Sequence, residues 1–186
     1  MNSFDRDPVL TDLAALPMDA PDGLLDRIAT RWSRVGAPIG ELAVAFTRRG
    51  IAFVRPDDAD FAPAFRQRFA RPLLPAPAVP DGLAEALSTG DGTDLDVDLD
   101  AAGEFQRSVL EATRSIPVGQ VRPYAWVAAE IGRPKAVRAV GTALATNPVP
   151  LVIPCHRVVR TDGSLGQYIF GPDTKRELLK REHADV

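Results

Sequence analysis

The chain contains one cysteine, Cys155, among 186 residues. No internal disulfide can form, and a cysteine-rich zinc site is excluded. The fold must therefore stand on apolar packing alone, and a reducing, cytoplasmic setting is expected. Hydrophobic residues make up 45% of the chain, enough for one large core or two small ones. His156 and His183 are the two histidines, too few for a metal cluster, so no metal is expected. The apolar runs are too short to span a bilayer. Asp5, Asp7 and Asp12, with no basic stretch before an apolar run, argue against a secretory signal.

Charge is unevenly distributed. Residues 1–103 hold 10 Arg/Lys against 17 Asp/Glu, a balance of −7. Residues 104–186 hold 12 against 8, a balance of +4. A basic half on an acidic chain fits an anionic partner such as nucleic acid, although a solvated surface gives the same composition.

Hydrophobic periodicity orders the first half. Leu10, Leu13, Ala14 and Leu16 predict one short helix, and Leu24, Leu25, Ile28 and Trp32 a second. Residues 38–46 and 51–54 are β-rich runs around Thr47-Arg48-Arg49-Gly50, which predicts a hairpin. Phe61, Phe65 and Phe69 are spaced for a helix over 59–69. Four prolines make 71–80 a loop, and Leu83 to Leu87 suit a short helix. The alternation Asp94-Leu95-Asp96-Val97-Asp98-Leu99-Asp100 predicts a half-buried strand with an acidic outer face. A domain break is expected near 100–103.

In the second half, residues 104–115 read as a helix with Phe105, Val109, Leu110 and Ala112 inward. Residues 124–131 form a short helix closed by Gly132. Pro134 is expected to start another helix running to about Thr146. Two helices about a tight turn make a helix-turn-helix candidate. In the second, Val137, Val140, Gly141 and Leu144 share the face expected to be core. Lys135, Arg138, Thr142 and Ala145 share the opposite one.

Pro148-Val149-Pro150-Leu151-Val152-Ile153-Pro154 reads as an extended segment leading into Cys155-His156-Arg157-Val158. An imidazole one residue away and a guanidinium two away can each favour a nucleophilic thiolate. Adjacent residues on an extended chain face opposite sides, so cooperation of Cys155 with His156 needs a bent turn or a bridging water.

Ile153-Pro154-Cys155-His156-Arg157-Val158 resembles the active-site motif of the O6-alkylguanine-DNA alkyltransferases, the methylated-DNA–protein-cysteine methyltransferases. Asn147-Pro148-Val149-Pro150 resembles the family's upstream segment. Pro134-Lys135-Ala136-Val137-Arg138-Ala139-Val140-Gly141 resembles its recognition helix. Phe105-Gln106 and Ile116-Pro117-Val118-Gly119 resemble the start of its C-terminal domain. Gly166, Tyr168, Gly171, Lys175, Leu178-Leu179 and Glu182 resemble its closing pattern.

The resemblance implies an α/β (α+β) fold. Residues 1–36 would be an extension, 37–102 a small ribonuclease-H-like sheet-plus-helix domain, and 103–186 a mostly helical DNA-binding and alkyl-acceptor domain. It implies irreversible, single-turnover transfer of a methyl or alkyl group from O6-alkylguanine in flipped-out DNA to Cys155, with O4-alkylthymine a second candidate substrate. His156 would take the thiol proton through a water, Glu182 would orient His156, and Asn147 would brace the turn. Arg138 would fill the gap in the base stack, with Lys135 and Ala136 beside it on the DNA-facing helix. Tyr124 and Tyr168 would contact the base, and backbone groups near Val158 and Ile169 would read the guanine edge. No cofactor, no membrane, double-stranded DNA as partner and a monomeric state complete the expectation. The alternative is a non-catalytic binder of alkyl lesions; such proteins replace the cysteine, so Cys155 argues against it. A helix-turn-helix regulator would explain the helix pair but not the motif around Cys155, Tyr168 or Glu182.

Overall fold

The computed structural model describes residues 28–184. The expected helix over 10–16, and the start of the one ending at Trp32, lie outside them. Trp32 itself is a correction: it belongs to a strand, β1 (Thr30–Ala37), in residues expected to precede the sheet. Thr30 and Trp32 are buried while Arg31 and Ser33 are half-buried, an alternation of period two that overrides the helical spacing.

The expected hairpin forms from β2 (Gly40–Thr47) and β3 (Gly50–Pro56), paired antiparallel with a bulge between Ala45 and Phe46. Arg48 and Arg49 make the two-residue connection, and Thr47 pairs with Gly50. Helix α1 (Phe61–Phe69) follows as expected. The proline-rich stretch is not wholly loop: Leu73–Pro75 form β4, parallel to β1 in the register Thr30↔Leu73. The sheet order is β3-β2-β1-β4. One face carries an aromatic core of Trp32, Phe53, Phe61 and Phe65, with Phe69 packed against it. Phe53 stands 5.7–5.9 Å from the rings of Phe61, Phe65 and Phe69 in tilted and edge-on contacts, the geometry that ring quadrupoles favour.

The alternating acidic run does not form a strand. Residues 96–98 make one parallel bridge, Ile51↔Val97, along the edge of β3. Asp98 is not on a solvated face: it is buried and accepts the Thr47 hydroxyl at 2.7 Å. Gly50 explains the close approach. Its φ is +124°, and a Cβ there would stand 2.1 Å from the Asp96 carbonyl oxygen. Gly50→Ala is expected to cost about 2–4 kcal/mol, read as a lower urea midpoint. A loss under about 1 kcal/mol would show that the 96–98 segment is not pinned to β3.

Strands β1–β4, α1 and residues 96–101 form one compact unit; residues 82–95 belong with 102 onward in the other. In that second unit, α2 (Leu83–Thr89) and α3 (Glu104–Arg114) form where periodicity places them. Helix α4 (Tyr124–Glu130) and helix α5 (Val137–Ala145) are joined by turns. Helix α5 starts three residues later than expected. Pro134 and Lys135 sit in a turn closed by Ala136 N–H donating to Arg133 O at 2.8 Å. Val140 and Leu144 are buried as expected, but Val137 is exposed and Ala143 is core. The Gln106 amide of α3 donates to Ala143 O and Thr146 Oγ1 at 3.0 and 2.8 Å, satisfying carbonyl and hydroxyl groups at the α5 C-terminus. Short strands β5 (Arg122–Pro123) and β6 (Val158–Val159) pair in parallel, and α6 (Pro172–Arg181) closes the unit. Among the described residues no helix is long and apolar enough to cross a membrane.

Candidate active site

The segment before Cys155 is bent rather than extended. Leu151 has φ +75°, Ile153 N–H donates back to Val149 O at 2.9 Å, and Pro150 bridges Ile153. A left-handed leucine costs about 1–2 kcal/mol, so neighbouring bonds must hold it. Asn147 supplies them. Its Oδ1 accepts Val149 N–H at 3.0 Å and its Nδ2 donates to Ile153 O at 3.1 Å. The same Nδ2 reaches Cys155 Sγ at 3.2 Å. Asn147 is fully buried, so one amide both spans the turn and contacts the sulfur.

Cys155–Arg157 then form a single 3₁₀ turn. This is the bent turn that cooperation of Cys155 with His156 requires. His156 is buried, and its Nε2 is 2.8 Å from Glu182 Oε1. The carboxylate beside Nε2 places the ring proton there and leaves Nδ1 as the lone-pair nitrogen. Nδ1 has no hydrogen-bond partner among the described residues. Burial pushes the imidazole below its ordinary value, against the opposing pull of Glu182, so the ring is neutral at pH 7. A neutral ring with a free lone pair can accept a proton.

Glu182, the residue just past α6, is held from two sides. Arg157 Nε donates to Oε2 at 2.8 Å and Nη2 to Oε1 at 2.9 Å. Burial works against the carboxylate, but the hydrogen bonds and charges of His156 and Arg157 overcome it and bring it to about 2. The remaining guanidinium hydrogens go to Ile116 O at 2.7 Å and Gly90 O at 2.5 Å. Arg157 therefore charges Glu182 rather than acting on the thiol directly, a role that adjacency in sequence did not suggest. Gly90 has φ +82°, and a Cβ there would stand 2.8 Å from Glu182 Oε1.

Above this network lies a cavity of about 500 Å³ with Cys155 in its wall. Tyr124, Arg138, Tyr168 and Ile169 line it, together with Val137, Gly141 and Arg160, which sequence reasoning had not placed there. Gly166, with φ +67°, lets the chain pass the Tyr124 hydroxyl; a Cβ would stand 2.9 Å from it. Burial and the charge of a Cys155 thiolate push the Tyr124 phenol up, opposed by Arg160. The Tyr168 ring meets the His156 ring edge-on at 6.0 Å.

Three expected binding residues are not in the wall. Lys135 is exposed and Ala136 half-buried, both just before α5. Val158 is buried in β6, and its carbonyl accepts the Lys175 ammonium at 2.6 Å, so that oxygen is already engaged. Lys175 is a further group the sequence left without a role. Fully buried, it is lowered to about 8 by desolvation, against the attraction of a Cys155 thiolate.

Residues 104–184 match the family described as 6-O-methylguanine DNA methyltransferase, DNA binding domain. The chain is 38% identical over 164 residues to the bifunctional transcriptional activator/DNA repair enzyme Ada of Escherichia coli, covering 84% of this chain and 46% of that protein. It thus spans about half the length of that relative. A methylated-DNA–protein-cysteine methyltransferase of Mycolicibacterium paratuberculosis is 39% identical over 152 residues, covering 81% of this chain and 91% of the relative. The crystal structure of Mycobacterium tuberculosis OGT in complex with DNA superposes with a TM-score of 0.69 at 31% identity, covering 82% of this chain and 92% of that one. The mixed α/β fold is shared with it. With nearly the whole of one such relative matched at this identity, the chain belongs to the methylated-DNA–protein-cysteine methyltransferase family.

Proposed function

We propose that this protein repairs DNA by moving a methyl or alkyl group from O6 of guanine irreversibly onto Cys155. The carrying observation is Cys155 in the wall of a cavity, its Sγ met by Asn147 Nδ2, with the adjoining His156 tied through Glu182 to Arg157. His156 Nδ1 takes the thiol proton through one water. Sγ attacks the alkyl carbon, the C–O6 bond breaks, and its electron pair stays on guanine, which takes up one proton while the His156 imidazolium gives one back to water. Proton and charge balance, and the thioether is stable, so each chain acts once.

An O6 substituent inside a duplex is out of reach of a buried sulfur. The nucleotide must be turned out of the stack, at a cost of a few kcal/mol. Arg138 is exposed at the cavity rim on the first turn of α5, where its side chain can fill the gap left behind. Tyr124, Tyr168 and the backbone at Ile169 face the base in this reading. The unit built from residues 102 onward with 82–95 binds double-stranded DNA and accepts the alkyl group, and the unit of β1–β4, α1 and residues 96–101 is the N-terminal α/β domain. The protein acts as a cytoplasmic monomer without metal or cofactor.

Arg138→Ala is expected to slow reaction with duplex O6-methylguanine at least tenfold more than reaction with free O6-benzylguanine. Only the duplex requires flipping. Equal slowing of both would remove the intercalating role. The function itself is tested by intact-protein mass after incubation with the lesion duplex. A gain of one methylene unit mapped to Cys155 supports it; tight binding without mass gain would instead favour a lesion-recognition protein.

A further inference from the structure

Beside the Cys155 cavity lies a second depression of about 490 Å³, and the mechanism above makes no use of it. Its wall is Arg160, residues 163–166 and Arg176. Arg160 and Gly166 also line the Cys155 cavity, so the two spaces adjoin. Arg160 is exposed but its backbone is fixed. Its N–H donates to Ser164 O at 2.8 Å, and its carbonyl accepts Gly163 N–H at 3.0 Å.

Two carboxylates lie near these guanidiniums, and both are engaged. Asp162 Oδ1 accepts the Ser164 amide at 3.0 Å and hydroxyl at 2.7 Å, bonds that close the turn and help keep the carboxylate charged beside Arg160. Asp173 pairs with Arg176 at 2.7 Å, but both side chains are largely exposed, and such a pair gives way easily to a stronger anion. Arg160 makes no ion pair among the described residues. It stands in the walls of both spaces. Planar guanidiniums match the two oxygens of a phosphodiester. At Gly163 a Cβ would meet nothing within 4 Å, so the turn is open there and a strand can lie close.

We propose that Arg160 and Arg176 form a phosphodiester-binding groove that holds the backbone of the lesion-bearing strand beside the cavity entrance. The inference rests on the alkyl-transfer reading above. The groove would keep the sugar–phosphate chain fixed while its base enters the cavity, and Arg160, standing in both walls, would mark the point where the strand turns in.

The test is single-turnover alkyl uptake by the full chain, followed by protein mass, for wild type and the Arg160→Gln/Arg176→Gln pair. Two substrates are used: duplex DNA with one O6-methylguanine, and free O6-benzylguanine, which has no phosphate. The ratio of duplex to free-base rate is expected to fall at least tenfold. The slope of log affinity for the duplex against log salt is expected to flatten by about 1.8, the loss of two phosphate contacts. Arg160→Lys/Arg176→Lys should restore most of the salt slope, because the charges return. An unchanged ratio and slope would overturn the groove. So would equal slowing on both substrates, which would assign Arg160 to the cavity instead. Wild-type protein that takes alkyl from neither substrate would refute the alkyl-transfer reading itself, a result distinct from either.

Discussion

Replacing Cys155 by alanine is expected to abolish alkyl uptake from lesion duplex while leaving DNA binding within a few-fold of wild type. No other thiol exists in the chain, so no second acceptor can take over. The sulfur is 5% exposed and contributes little to any outer surface. Removing it leaves Asn147 bonded to Val149 and Ile153, so the turn persists. The loss of packing is one sulfur atom, on the order of 1 kcal/mol. Intact mass should show no gain at any time, and mobility-shift titrations should still show a complex. Methylation of the alanine variant would remove Cys155 as acceptor, and loss of binding would give the thiol a structural role that its surroundings do not suggest.

The largest effect on stability is expected from Arg157→Met. Arg157 is 2% exposed, and its guanidinium makes two bonds to Glu182 and one each to the Ile116 and Gly90 carbonyls. Methionine fills much of the space but leaves the Glu182 carboxylate with only the neutral His156 ring beside it and two carbonyls without their guanidinium donors. Breaking one side of a buried pair costs about 3–5 kcal/mol. Arg157→Lys should rescue little of it, since an ammonium cannot serve four acceptors in that planar arrangement. Urea unfolding followed by circular dichroism measures both, and a loss under 1 kcal/mol would show that water replaces the guanidinium at no cost. The same pair sets an acid limb. Glu182 sits at about 2 in the fold, below its ordinary value near 4.5. The unfolded chain thus binds more protons between those values. The contribution of Glu182 is complete above pH 4.5 and is lost as pH falls toward 2. That limb should be shallower in Glu182→Gln.

Local patterns that coincide with burial could be read from the sequence. The phenylalanine spacing of α1 and the turn of the β2–β3 hairpin are of this kind. Patterns that tertiary pairing overrides could not. β4 has three residues among prolines and exists because Leu73 and Leu74 meet β1 in register. The acidic alternation predicted a strand, yet the chain touches β3 at a single bridge and turns Asp98 inward to Thr47. The motif around Cys155 pointed to His156, Glu182 and Asn147, which the structure brings together. It offered Arg157 as a partner of the thiol and not of Glu182, because its partners lie 25, 41 and 67 positions away. Lys175 went without a role for a similar reason, the carbonyl that its ammonium reaches lying 17 residues away.

The solitary cysteine also makes the protein its own footprinting reagent. A thiol-selective alkylator has a single place to react, and that place is the wall of the cavity. Its labelling rate reports access to that wall with no tag and no mapping step. A flipped nucleotide in the cavity should protect the thiol, while DNA lying elsewhere on the surface should not. Occupancy of the reactive site and mere attachment to DNA can therefore be separated in one tube, by mass alone, before any alkyl group has moved.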